Sequence, residues 1–367
     1  MPGDDGAAAE RLERRFRRQA ATALQRGSPL YLGLLERLSG DVAARGPAWE
    51  LLRDRAWEPG GSALALRLLA AVHRLVLTGA APELARWYPS AGGDGTAEQA
   101  WPDLRALLAE RAAELDPLLD EPLQTNEPAR AAALLPGLLY AATKSGQPLR
   151  LLELGASAGL NLNFDRYRYE DDGFAFGPKD SPVRIAGAYG GHAPQVRPTV
   201  TVASRAGCDR RPLDVRDEHD RLVLRSAVWA DQAERLALLD AALAVAAAHP
   251  PPVERADALE WLDARLREPA EGVATVVMHS ILVQYLSPEA REALHARIEE
   301  AGRAATPTAP LHWLRMEPHR PEPPAGDPRR GTAELRHASW PPGIDAGYGW
   351  AGYHGRPVEL PRRVSRS

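Results

Sequence analysis

Residues 150–163, Arg-Leu-Leu-Glu-Leu-Gly-Ala-Ser-Ala-Gly-Leu-Asn-Leu-Asn, have the types and spacing of a ligand site. Leu151, Leu152 and Leu154 make a buried strand. Gly155 and Gly159 let the chain turn sharply and approach a ligand with no Cβ in the way. A helix starting near Gly159 then points free N–H groups at that ligand, with Ser157 and Asn161 beside it. Glu153, at the strand end, can accept hydrogen bonds from an amine and complements a cation such as a sulfonium-bearing amino acid. Two later strand ends agree. Asp209 follows the strand Val200–Ala206, where a doubly wound sheet places the carboxylate for ribose hydroxyls, and Asp257-Ala258 follows Val253–Ala256, where the pair can border an adenine ring.

The same turn matches a second chemistry. Gly155-Ala156-Ser157-Ala158-Gly159 is a Gly-x-Ser-x-Gly nucleophile elbow, and a hydrolase would complete it with Asp257 and His354, or with Asp214 and His279. Against this reading, no His-Gly-Gly segment precedes the elbow, since Gly190-Gly191-His192 follows it in reversed order, and the elbow ends the first strand of its sheet. In the ligand-site reading Ser157 contacts the ligand instead.

On the substrate side, Gln124-Thr125-Asn126-Glu127 is a run of hydrogen-bonding side chains just before the sheet begins. Thr125 or Asn126 can cap the next helix, with Pro128 in its first turn; the others, with Arg130, face ligand or substrate. Trp229 and Gln232, at the start of a long helix, can line the same pocket or simply pack. His279-Ser280 ends another strand, with Tyr285 just beyond. This trio is the catalytic expectation, His279 acting as general base. The remaining histidines show no His-x-x-x-His or His-Glu-x-x-His spacing, so no metal site is expected.

The elements that position these groups fall into two parts. From Ala7 to about Leu123, apolar residues recur at helical spacing, as in Leu30, Leu34, Leu35 and Leu38, and in Leu64, Leu68, Val72, Leu75 and Val76. About five helices are expected there, broken at Gly46-Pro47, Pro59-Gly60-Gly61 and Ser90–Gly95. After Gln124, strands (Leu149–Leu154, Val200–Ala206, Val253–Ala256, Val273–His279, Leu311–Met316) alternate with helices (Leu160–Tyr167, Gln232–Ala248, Leu259–Leu266, Pro288–Ala301), the mark of a parallel α/β sheet. Glu334–Ala338 and Tyr348–Tyr353 suit a closing antiparallel pair beyond the proline-rich loop 318–328. Residues 165–200 are long for a βα connection and carry an insertion. The expected organisation is thus an all-α unit over 1–123 and a Rossmann-like, mostly parallel sheet flanked by helices over 124–367.

Composition bounds the partners. The 367 residues are 44% hydrophobic and 26% charged, ordinary for a folded protein, and the net charge of −4 gives no basic field for nucleic acid or an anionic membrane. A lone cysteine, Cys208, excludes an internal disulfide framework and fits a reducing compartment. No apolar run suits a signal peptide or the ~20 residues of a membrane span, so a cytoplasmic protein acting on a small molecule is expected.

Two resemblances rest on these residues. The series Glu153, Gly155, Gly159, then Asp209, then Asp257 with Ala258 resembles the Rossmann-like S-adenosylmethionine-dependent methyltransferases over residue 124 to the C-terminus. There the turn holds the amino-acid part of the cofactor, the second acid its ribose, and the Asp-Ala pair its adenine. Nearly the whole chain resembles the bacterial family known as domain of unknown function 2332. The residues that carry it are Ser28-Pro29-Leu30-Tyr31, Gln124 to Glu127, Leu152 to Leu162, Asp165 to Tyr169, Pro212-Leu213-Asp214-Val215, Trp229 to Leu236 and Val277-Met278-His279-Ser280. Cys208 and Arg210-Arg211 depart from the pattern around Asp209. The methyltransferase resemblance implies an S-adenosylmethionine-dependent methyltransferase or methyltransferase-like enzyme, whereas the second family has no established reaction. The alternatives are a non-catalytic nucleoside or metabolite binder on the same fold, and the serine hydrolase.

Overall fold

A computed structural model describes residues 5–194, 198–267, 269–324 and 326–361. Residues 195–197 of the expected insertion and residue 325 of the proline-rich loop lie outside them. The chain forms two compact units: Met1–Thr125 with Asp217–Ala237, and Asn126–Arg216 with Leu238–Ser367. The first therefore includes a segment, 217–237, that the sequence reading set with the sheet.

The first unit is helical. Asp5–Gln25 and Pro29–Ala43 form a helical hairpin in which Leu12, Phe16 and Ala23 meet Leu34, Leu35 and Leu38, all buried. The hydroxyl of Ser28 accepts from Tyr31 N at the N-terminus of the second helix. It also donates to Asp231, whose carboxylate accepts from Leu30 N as well, at 3.0 Å, and so complements the positive end of that helix. Trp229, which the sequence offered as a pocket residue, stacks on Tyr31 at 5.4 Å within the core. Gln232 donates through Nε2 to Arg26 O at 3.1 Å. Both residues hold the helical unit together. Short helices at Pro47–Leu52, Pro82–Ala85 and Ala112–Leu118 were not resolved in the sequence pattern, nor was Glu218–Ala227. Gly60–Leu77 is apolar and long enough by composition alone to cross a membrane, contrary to the sequence reading. Its helix, Leu64–Leu77, buries Leu68, Leu69, Val72 and His73 inside the unit.

The second unit holds eleven strands among the described residues: β1 (Leu149–Leu154), β2 (Arg168–Asp171), β3 (Phe174–Phe176), β4 (Arg184–Ala186), β5 (Val202–Asp209), β6 (Val253–Arg255), β7 (Ala274–Ser280), β8 (Leu311–Pro318), β9 (Thr332–Trp340), β10 (Ile344–Gly352) and β11 (Val358–Glu359). Eight make one sheet in the order β11-β10-β9-β8-β7-β1-β5-β6. The five from β6 to β8 are parallel and the rest antiparallel. β1 and β7 lie at the centre, and their near-continuous apolar runs reflect burial on both faces. Helix Arg130–Ser145 packs on β7 and β8 so closely that Gly137 leaves no room for a Cβ beside Leu314. Pro288–Ala304 also packs on β8. The result is a mixed α/β unit with a large, mostly parallel sheet flanked by helices. The insertion folds as a separate three-stranded sheet, β3-β2-β4.

One element differs in kind. Instead of an α-helix over 160–167, the chain after the glycine turn makes a 3-10 segment, Leu160–Arg166, interrupted at Asn163. Side chains take the carbonyls that an α-helix would use. Tyr167 Oη donates to Leu160 O, Arg205 Nη1 to Leu162 O and Tyr169 Oη to Phe164 O, at 2.5, 2.6 and 3.0 Å. With no helix of length, the expected helix-terminal attraction for a ligand is absent from this turn.

Candidate functional site

Three residues in five, Gly155, Ser157 and Gly159, have positive φ (65°, 55° and 70°). For serine this left-handed conformation costs about 1–3 kcal/mol and persists only where its surroundings enforce it. They do so here: Ala156 N donates to Cys208 O, Ser157 N to Asp209 Oδ2 at 2.9 Å, and Leu213 N to Ser157 O. Leu160 N is taken by Asn126 Oδ1 at 3.0 Å. Asn126 thus ties down the start of the 3-10 segment rather than capping helix Arg130–Ser145, whose N-cap is Ala129 with no side-chain bond.

The glycines do not open space for a ligand, as the sequence reading supposed. A Cβ at Gly155 would stand 2.8 Å from Leu282 Cδ1, and one at Gly159 would stand 2.8 Å from Pro251 Cγ and Val253 Cγ2. Their small size is used by neighbouring side chains. What the turn leaves unsatisfied is polar. Glu153 Oε2, Ser157 Oγ and both amide atoms of Asn161 are buried with no hydrogen-bond partner, their residues being 2%, 4% and 2% exposed. Burial pushes the Glu153 carboxyl up to about 8, against the lowering influence of nearby Asn161 and Arg130, with Asp209 adding to the rise. The group is therefore protonated at neutral pH. Each buried polar atom left unmatched costs about 1–3 kcal/mol, so this cluster marks a place where a polar guest is favoured.

Around it, Arg130 Nε donates to Tyr353 O at 2.9 Å and its Nη1 lies 3.5 Å from Ser280 Oγ. Glu127, 5% exposed, has His354 Nδ1 at 3.6 Å. Gly355 rests directly on the backbone of Ala129 and Arg130, where a Cβ would not fit. Within the second unit the structure therefore brings Asn126, Glu127, Arg130, Glu153, Ser157, Asn161, Asp209 and Ser280 into one region by these bonds and charges. Gln124 and Thr125 belong to the other unit.

Several expected residues are occupied elsewhere. Both oxygens of Asp209 accept backbone bonds, from Ser157 N and Arg211 N. Asp257 caps helix Ala258–Leu266 through Leu259 N and pairs with Arg210, which helps hold its carboxyl below the usual range against the effect of burial. Ala258 is the first residue of that helix. The expected catalytic trio does not converge. Successive residues point to opposite faces of a strand, and His279, fully buried, lies 2.5 Å through Nδ1 from Glu317 Oε1 and 5.9 Å ring to ring from Trp313. Glu317 also accepts from Leu282 N and Val283 N. Ser280 faces Arg130, and Tyr285 is 69% exposed.

Neither hydrolase set is assembled. Ser157 Oγ has no partner, Asp257 and His279 are held as above, and Asp214 pairs with Arg216. Nothing in the sequence signalled Glu317 as the partner of His279, or the return of residues 353–355 onto residue 130. Among the described residues no group of three or more His, Cys, Asp or Glu side chains is arranged to hold a metal ion.

The model of a family described as an uncharacterized protein conserved in bacteria (DUF2332) matches residues 13–360. No curated protein matches the chain.

Proposed function

The chain belongs to the bacterial family DUF2332, and from the geometry of its glycine turn we propose that it is an S-adenosylmethionine-dependent methyltransferase-like enzyme acting on a small molecule. The observation that carries the reading is the Glu153 carboxyl: buried, proton-bearing and with one oxygen unmatched, at the carboxyl end of the central strand.

Strand order supports it. From β1 the chain steps outward to β5 and β6, then restarts on the other side of β1 with β7 and β8. Ligands of such sheets bind where the order reverses, beyond the strand ends, and here that is between β1 and β7. Donors and acceptors support it too. The Asn161 amide bears on Glu153 as a hydrogen-bonding neighbour, while its C=O and the Ser157 hydroxyl have no partner, which suits an amino-acid moiety. Leu282, Pro251 and Val253 fill the glycine side, so this reading takes the ligand to the Glu153 and Asn161 side.

The cofactor would supply an electrophilic methyl group. In this reading Glu153 gives up its proton and grips the amine, Asn161 and Ser157 orient the amino-acid end, and Asp209 keeps the turn closed while retaining lone pairs for a ribose hydroxyl. Alignment supplies most of what methyl transfer requires. Glu317 orients His279 through Nδ1 and leaves Nε2 unmatched, the arrangement of a general base, but none of the bonds that join the Glu153 cluster reaches it, so it is given no part in this reading. That the expected catalytic trio is dispersed favours one second reading, a binder of the same ligand that transfers nothing.

The two are separated by incubating the protein with methyl-labelled S-adenosylmethionine and a small-molecule pool from a bacterial extract. Label appearing in a small molecule, and lost in Glu153→Ala, is the expected result. Binding of the cofactor without transfer supports the binder. No binding of S-adenosylmethionine or its demethylated product at millimolar concentration overturns both.

A further inference from the structure

The helical unit holds a second arrangement that none of the foregoing uses. Helix Leu64–Leu77 carries His73, wholly buried, and the short turn Pro89–Ala91 carries Ser90, part-buried. Ser90 Oγ lies 2.7 Å from His73 Nε2, and His73 Nδ1 lies 3.1 Å from Ser226 O. The tautomer follows from the partners. A carbonyl oxygen only accepts, so Nδ1 bears the proton and Nε2 presents its lone pair to the Ser90 hydroxyl. Ser226 sits in the last turn of helix Glu218–Ala227, where carbonyls lack helical partners, which explains why this oxygen is available to fix the ring.

We propose that Ser90 and His73 form a nucleophile–base pair, with the Ser226 carbonyl orienting the base, that takes an acyl group from a small ester or thioester. Nucleophile and base within hydrogen-bond reach, and a third group holding the base, are the geometric signature of such catalysis. In the step, Ser90 Oγ bonds to the acyl carbon and its proton passes to His73 Nε2. The alcohol or thiol leaves with that proton. Water then attacks the acyl-serine by the same route and releases the carboxylic acid.

The neighbourhood sets the rate. Backbone N–H groups around Ser90 are committed, Ser90 N to Ala230 O, Ala91 N and Gly93 N to Tyr88 O, and Gly92 N to Pro89 O. They form no oxyanion hole. Tyr88, whose ring is 5.9 Å from that of His73, carries a buried hydroxyl with no hydrogen-bond partner. Acylation and deacylation both pass through a tetrahedral oxyanion, so the pair should be slow in both steps. It shares no residue with the glycine-turn site, so the two assignments stand or fall separately.

The test is labelling of the full chain with an alkyl fluorophosphonate, the adduct being mapped by peptide mass spectrometry. The expected adduct is on Ser90, absent in Ser90→Ala and formed at least ~100-fold more slowly in His73→Gln, the scale of a lost general base. Should His73→Gln fail to fold, the wild-type rate against pH decides. Burial lowers His73 to about 4, so the rate is flat from neutral pH down to near that value and then falls. No adduct on Ser90, an adduct only on Ser157, or a rate indifferent to both His73 and acid overturns the proposal.

Discussion

Glu153 concentrates the physics of the site in one side chain. Its carboxyl has a folded value of about 8 because burial penalises the charged form, whereas in the unfolded chain it titrates near the ordinary ~4.3. Between those values the folded state holds a proton that the unfolded state has released, so stability falls as pH rises through that window and is fully retained below it. Glu153→Gln removes the titration. Between pH 5 and pH 8 the variant should gain about 3–4 kcal/mol on the wild type, as read from denaturant unfolding of both proteins across that range. A constant difference with pH would mean that the carboxyl is not buried as described. Sequence reasoning located Glu153 from its place at a strand end, but not its protonation, which depends on the distant residues that bury it.

At the scale of elements, β1 was legible to the residue because Leu149, Leu151, Leu152 and Leu154 form an apolar run closed by Gly155. The segment after it was misread because Tyr167, Tyr169 and Arg205 capture its carbonyls. No local pattern announces such bonds. Asn126 shows the same limit: its type suggested a cap, and it does satisfy an N–H, that of Leu160 across 34 positions. Asn126→Ala should cost about 1–2 kcal/mol by orphaning that donor. It should also speed hydrogen exchange at Leu160 while exchange in β9 and β10 follows only the global loss of stability. Unchanged protection at Leu160 would show that the bond does not hold the turn.

For the whole molecule, alternating strand and helix patterns disclosed the parallel sheet, and the weaker runs near Glu334–Ala338 and Tyr348–Tyr353 disclosed the antiparallel strands beside it. The chain's excursion 217–237 into the helical unit was hidden. Its anchors, Asp231 on Ser28 and Trp229 on Tyr31, join residues about two hundred positions apart, and from sequence Trp229 could equally line a pocket or pack. The fold supplies a switch point between β1 and β7, and the central claim is that an amino-acid-bearing nucleoside binds there through Glu153. Titration calorimetry with S-adenosylmethionine, run at pH 7 in two buffers of different ionisation enthalpy, tests this most directly. Saturable binding that releases up to one proton to the buffer in the wild type, and in Glu153→Gln is at least ~10-fold weaker without that release, is the predicted result. Binding of equal strength and equal proton release in both proteins, or no binding by either, would contradict the claim.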